Sequence, residues 1–221
     1  MNAFFSIKDL TTEESQDLRA CVTDTLGTIA SAVRKEKFLP YMDRSFQLAL
    51  DGLKTDSSRV RESVFCFFAG MADVLKEELN PALEQIVPAL FETLAQEDID
   101  FGDKITEEEA KALLNGESTD DMSDDDDESI ALKVNSALQL EKEIAADALR
   151  EIFVNVKSAF LPYLATATTY LVELAEAFYD GARKAALSAL WRFVITLGEL
   201  QVTEPWVPGL PVVSHPSCVP F

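Results

Sequence analysis

The sequence has a single histidine, His215, which rules out a histidine-based catalytic triad or a histidine cluster for zinc. Its three cysteines, Cys21, Cys66 and Cys218, are far apart and match no metal or redox spacing. Cys21 and Cys66 fall in apolar helical runs, where a free thiol is expected as core filler, and unpaired thiols suit a reducing compartment. The eight glycines are scattered and form no phosphate-cradling loop. Positive charge is also scarce: 19 Lys and Arg stand against 39 Asp and Glu, a net charge of −20, so direct nucleic-acid binding is not expected. Long apolar runs are missing too. The opening MNAFFSIKDL lacks the basic and apolar regions of a signal peptide. The uncharged run from Ser158 to Val172 carries Pro162 and three threonines and is too short for a bilayer. No cofactor, metal, catalytic pair or membrane insertion is therefore expected.

Negative charge is abundant and concentrated. Between 97 and 129 stand fifteen Asp and Glu against Lys104 and Lys111, a net −13 of the chain's −20. Such a block repels itself and has little apolar area to bury, so the sequence predicts a disordered loop over 97–136. Its densest part holds Asp120, Asp121, Asp124, Asp125, Asp126, Asp127 and Glu128. The run lacks the glycine and ligand alternation of an EF-hand, so no structured calcium site is expected.

On both sides of the acidic block the sequence is amphipathic helix with one long period. Leu18, Val22, Leu26, Ile29 and Val33 recur at helical spacing, predicting a first helix over about 12–35 behind a Thr11-to-Glu14 capping signal. Pro40, Pro81 and Pro162 each suit the first turn of a second helix. Arg19, Arg61, Lys142 and Arg183 fall in register at spacings of 42, 81 and 41, and the prolines at 41 and 81. Helix pairs repeating about every forty residues, with one forty-residue insertion, predict an all-α solenoid of HEAT type. The units are 1–96 (two pairs), 97–136 (the acidic insertion), 137–200 (one pair and a further helix) and 201–221.

That last stretch holds five of the nine prolines, which exclude a helix. Yet Leu187, Leu190, Trp191 and Val194 on the preceding helix need covering. Trp191 is expected to pack in the core. Either the proline-rich tail lies over this face or the chain is a piece of a longer array; the lack of a polar capping repeat favours the second.

Counting from the register proline of each second helix, Asp43 and Glu84 stand three residues on, and Asp51, Glu92 and Glu173 eleven residues on. Offsets 3, 7 and 11 share one helical stripe, apart from the apolar offsets 2, 5, 6, 9 and 10. With stacked helices about 8–10 Å apart, these five carboxylates should form a row along one surface. A row of like charges costs stability, so it is a candidate binding surface for cationic partners.

The phrases FLPYM at 38–42, FLPYL at 160–164, EKEIAADAL at 141–149 and DGARKAALSALWRF at 180–193, with the acidic insertion ahead of them, resemble the importin-beta superfamily of nuclear transport receptors. The likeness covers about residues 12–200. It implies an acidic concave surface lined by second helices, on which Asp43, Asp51, Glu84, Glu92 and Glu173 would bind basic import signals of histones and ribosomal proteins. It further implies phenylalanine–glycine nucleoporins as partners, release of cargo by Ran GTPase, and a place in cytoplasm, nucleus and nuclear pore. A HEAT scaffold subunit without transport activity is the alternative.

Overall fold

The computed structural model describes residues 13–96, 126–177 and 179–201, apart from the side chains of 13–14 and 126–135. Among these residues every regular element is a helix. In chain order they are α1 (Glu13–Phe38), α2 (Met42–Gly52), α3 (Ser58–Leu75), α4 (Leu83–Leu94), α5 (Asp126–Val156), α6 (Leu164–Leu174) and α7 (Asp180–Gln201). Short 3-10 segments join α1 to α2, α3 to α4 and α5 to α6. The long first helices α1, α3, α5 and α7 pack on one another in sequence, and the short second helices α2, α4 and α6 form a second layer on them. This is a HEAT-type α-solenoid. Backbone contact is extensive between successive first helices and sparse between successive second helices.

The corner between the helices of a pair explains the FLPY phrases. Phe38, Leu79 and Phe160, each two residues before a register proline, are fully or almost fully buried. Pro40 lies in the first turn of its 3-10 segment, and Pro81 and Pro162 lie near the end of theirs, each two residues ahead of the second helix. The tyrosine then leans on the buried ring: Phe38 to Tyr41 is 6.5 Å between centroids and Phe160 to Tyr163 is 5.8 Å. The residue between phenylalanine and proline points outward, so Leu39 and Leu161 are exposed. Just before each corner the chain turns through a residue of positive φ: Arg34 at 65°, Lys76 at 52° and Lys157 at 56°. Their spacings of 42 and 81 repeat those of the arginine register. The first of these, at Arg34, lies inside α1, close to the predicted end of the first helix at about 35.

The other corner is held by the register cations. The Arg19 guanidinium donates to the Leu48 carbonyl at 3.3 Å, Arg61 to that of Thr55 at 2.8 Å and Arg183 to that of Ala177 at 2.8 Å. Each closes the end of a second helix or the turn that follows it. Ser57 caps α3, its hydroxyl accepting from the Val60 amide. The Thr11 capping signal lies outside the described residues.

Aromatic side chains fill the interior. Phe46 of α2 meets Phe67 and Phe68 of α3 edge-on at 5.8 and 5.6 Å, and Phe153, Phe160 and Phe193 tie α5 to α7. Phe91 and Tyr170, 5.5 Å apart, bridge the second helices α4 and α6.

Three expectations need correction. Helix α5 starts at Asp126, not at 137, because the helical period reaches back through Val134 and Ile130; Asp126, Asp127 and Glu128 therefore head a helix. Asp120, Asp121, Asp124 and Asp125 lie outside the described residues. Cys21 and Cys66 are exposed rather than core, since both occupy the solvent side of the first-helix layer. Trp191 is 68% exposed, with Leu187 and Val194 similarly open, because no described element follows α7 in the stack.

Candidate functional site

On the second helices the apolar offsets turn inward. Met42, Ser45 and Ala49 of α2, Leu83, Ile86, Val87 and Leu90 of α4, and Ala167 and Leu171 of α6 are buried. The stripe of offsets 3, 7 and 11 is left facing water. Asp43, Gln47, Glu84, Pro88, Glu92, Ala165, Thr169 and Glu173 are all exposed. Asp51 is half-buried, 29% exposed, and accepts a hydrogen bond from Gln47 at 3.0 Å, one helical turn back on the same stripe. It is also 3.9 Å from the Lys54 ammonium and close enough to Arg19 to offset part of the desolvation that lowers that guanidinium's pKa. None of the five carboxylates points into the core.

Glu92 stands at the rim of a cleft of about 510 Å³ where the corner between α2 and α3 meets the end of α4. Lys54, Asp56, Arg61, Thr93 and Gln96 also line it, and the acidic segment leaves the described chain one residue beyond Gln96. Glu92 of the ladder and Gln96, the last described residue before the acidic block, therefore line the same cleft.

Below the cleft lies a buried cluster absent from the five-residue ladder. Glu141 of α5 is fully buried and receives both Nε and Nη2 of Arg61, at 2.7 and 2.8 Å, and the Thr93 hydroxyl at 3.1 Å. The hydrogen bond to Glu141 raises the Arg61 pKa against the opposing effect of burial. Helices α3, α4 and α5 are thus pinned at one point, across the insertion. The signal was present in the sequence: Glu141 immediately precedes the register cation, where the other pairs have Leu18, Val60 and Ala182.

The first-helix layer carries acids of its own. Desolvation raises the carboxyl pKa of Glu62, Glu143 and Asp147, and a neighbouring carboxylate adds to each: Glu141, Asp147 and Glu151 respectively. Asp24, Glu62 and Asp147, from three successive first helices, also surround Cys66, whose thiol is raised by crowding and then by these charges. Arg59, Arg150 and Lys184 offset part of this field: Arg59 reaches Glu62 at 3.6 Å, Arg150 reaches Asp147 at 3.0 Å, and Lys184 lowers the Glu143 carboxyl pKa. Among the described residues no His, Cys, Asp and Glu group could hold a metal ion, and no helix is long and apolar enough to cross a membrane.

Fold and charge together define a HEAT-type solenoid with acidic side chains on the exposed faces of both helix layers. No protein-family model matches the chain. Over 204 residues it is 46% identical to the protein named probable importin subunit beta-4 of Schizosaccharomyces pombe, covering 90% of this chain and 19% of that protein. Over 206 residues it is 30% identical to Importin-4 of Homo sapiens, covering 84% and 18%. The chain is homologous to one stretch of each of these two proteins. It spans about a fifth of the length of the relatives it matches.

Proposed function

We propose that this chain is a cargo-holding segment of a nuclear import receptor, and that it holds Lys- and Arg-rich polypeptides on the second-helix layer. The observation that carries this reading is the repetition of a carboxylate at one offset in three stacked helices, half-buried at Asp51 and exposed at Glu92 and Glu173, extended by the exposed Asp43 and Glu84. A peptide with a cation every few residues can follow such a row. Each exposed pair contributes about 0.2–1 kcal/mol, so useful affinity needs several together and weakens as salt screens them. The acidic segment, from Asp120 to Glu128, adds a second polyanion that raises the local concentration of basic cargo. Histone tails and basic ribosomal-protein segments have the required chemistry. Binding to Ran GTPase and to phenylalanine–glycine nucleoporins, and shuttling between cytoplasm and nucleus through the pore, belong to the same reading and rest on the kinship with importins.

The test is fluorescence anisotropy of a labelled histone-tail peptide titrated with the chain. The expected result is saturable binding at low ionic strength that weakens steeply between about 50 and 200 mM salt. Neutralising Asp120, Asp121, Asp124 and Asp125 to Asn should slow association more than it weakens the final complex. Absence of binding at low salt, or binding indifferent to salt, would overturn the proposal in favour of a scaffold that engages folded partners.

A further inference from the structure

The cleft beside Glu92 has charges that do not balance. Two cations line it, Lys54 and Arg61, and each is already matched. Arg61 gives Nε and Nη2 to the buried Glu141, Nη1 to the Thr55 carbonyl and Nη2 again to the Ser58 hydroxyl. Lys54 stands 3.9 Å from Asp51 and is otherwise exposed. The two carboxylates of the lining, Asp56 and Glu92, are exposed, and among the described residues neither forms an ion pair or a hydrogen bond. Asp56 acts on Arg61 only from a distance, adding to the effect of Glu141 in raising its pKa. The end of α4 contributes a third source of negative potential. Ala89, Glu92, Thr93 and Gln96 bring the helix C-terminus to the cleft, where its dipole is negative, and the last turn of α4 has no basic residue of its own. Leu53 and Ala89, both half-buried, make part of the lining apolar.

We infer, on the footing of the cargo-holding function proposed above, that this cleft takes the side chain of one lysine or arginine of the bound polypeptide and so fixes its register on the ladder. A long cationic side chain suits both parts of the lining. Its aliphatic stem lies along Leu53 and Ala89, while its charged head stays with Asp56, Glu92 and the α4 terminus. A volume of about 510 Å³ leaves room for it. An anion would meet two unmatched carboxylates and the negative end of a helix. A bare metal ion finds no coordination there, since among the described residues no group of His, Cys, Asp and Glu could hold one. Glu92 belongs to the cleft and the ladder alike, so a polypeptide lying on the row can lower one side chain into the cleft without leaving it. On the open ladder one cation pairs as well with one carboxylate as with the next, and charge alone sets no register. The cleft adds a place that only one side chain at a time can fill.

The test uses the full chain and a labelled Lys- and Arg-rich peptide at low salt. A companion set of peptides has one cation at a time replaced by methionine, which keeps a long stem without the charge. Anisotropy titrations compare the unaltered chain with Asp56→Asn, with Ala89→Leu, which narrows the cleft at constant charge, and with Glu84→Gln on the open ladder. Circular dichroism is recorded on each. In the unaltered chain, loss of one particular cation should cost about tenfold in affinity, and loss of any other about twofold. Asp56→Asn and Ala89→Leu should each weaken the complete peptide about five- to tenfold, yet leave affinity for the peptide lacking that one cation unchanged. Glu84→Gln should weaken every peptide alike, by about twofold. If Ala89→Leu loses helical content, the comparison with Asp56→Asn, at an exposed residue, still decides. Affinity unchanged in Asp56→Asn, or lowered equally for every peptide, would overturn the inference and leave the ladder as a surface without register. Absence of binding by the unaltered chain would overturn the cargo-holding function, and the cleft's role with it.

Discussion

Arg61 holds three helices together through a carboxylate that has no contact with water. Replacing it with Ala leaves Glu141 charged, buried and bonded only to the Thr93 hydroxyl, and the Thr55 carbonyl also loses its donor. Urea unfolding should report a loss of about 3–5 kcal/mol. Changing both partners together, Arg61→Met with Glu141→Leu, should cost much less, since no charge is then stranded. If the single and double variants were equally damaged, the pair would not be the source of the stability. Lys157 offers the opposite case. Its φ of 56° is one that side chains disfavour and glycine adopts freely, so Lys157→Gly should stabilise the fold by about 1 kcal/mol in the same measurement. Neither residue stands out by type in the sequence. Arg61 was visible as one of four cations in register, but its partner sits 80 residues away, and only the packed chain brings α5 against α3. The positive φ values were invisible because lysine and arginine carry no sign of them.

Among the elements, the first-helix layer packs three carboxyl groups where the charged form is disfavoured. The pKa values of Glu62, Glu143 and Asp147 are raised above their unfolded values, chiefly by desolvation. A carboxyl raised in this way favours folding when protonated, so its stabilising share is complete below the unfolded pKa and is lost as pH rises through the folded one. Thermal unfolding should therefore shift to higher temperature as pH falls from about 7 to about 5, and Asp147→Asn should flatten that dependence. A melting temperature that fell over this interval would contradict the assignment. Helix pairs and their period were legible at this scale because apolar side chains recur where the structure buries them. Prolines 40, 81 and 162 also mark the same corner each time. The start of α5 was not legible, because a dense run of acids obscures a helical period that begins inside it. The exposed Trp191 was missed for another reason: periodicity shows which face of α7 is apolar, but not whether anything lies on it.

At the scale of the whole molecule, a net charge of −20 is distributed in two ways: concentrated in the segment before α5, and repeated at one offset of the second helices. The repeated part was readable from spacing, since a stripe of offsets 3, 7 and 11 lies away from the mostly apolar offsets 2, 5, 6 and 9. Asp51 could not be ranked that way, because the help it takes from Gln47 and Lys54 comes from local geometry. The second acidic surface, on the first helices, was also written in the spacing and was missed: Glu62 and Glu143 stand one residue after the register cation, Asp24 and Asp147 five residues after it. The account's central claim is that the ladder on the second helices is the surface that holds cationic polypeptides. Calorimetric titration of one Lys- and Arg-rich peptide compares the unaltered chain with the combined variant Asp43→Asn, Asp51→Asn, Glu84→Gln, Glu92→Gln and Glu173→Gln. The ladder should account for a loss of about tenfold or more in affinity at low salt, with helical content retained. Equal affinity of the two proteins would contradict it.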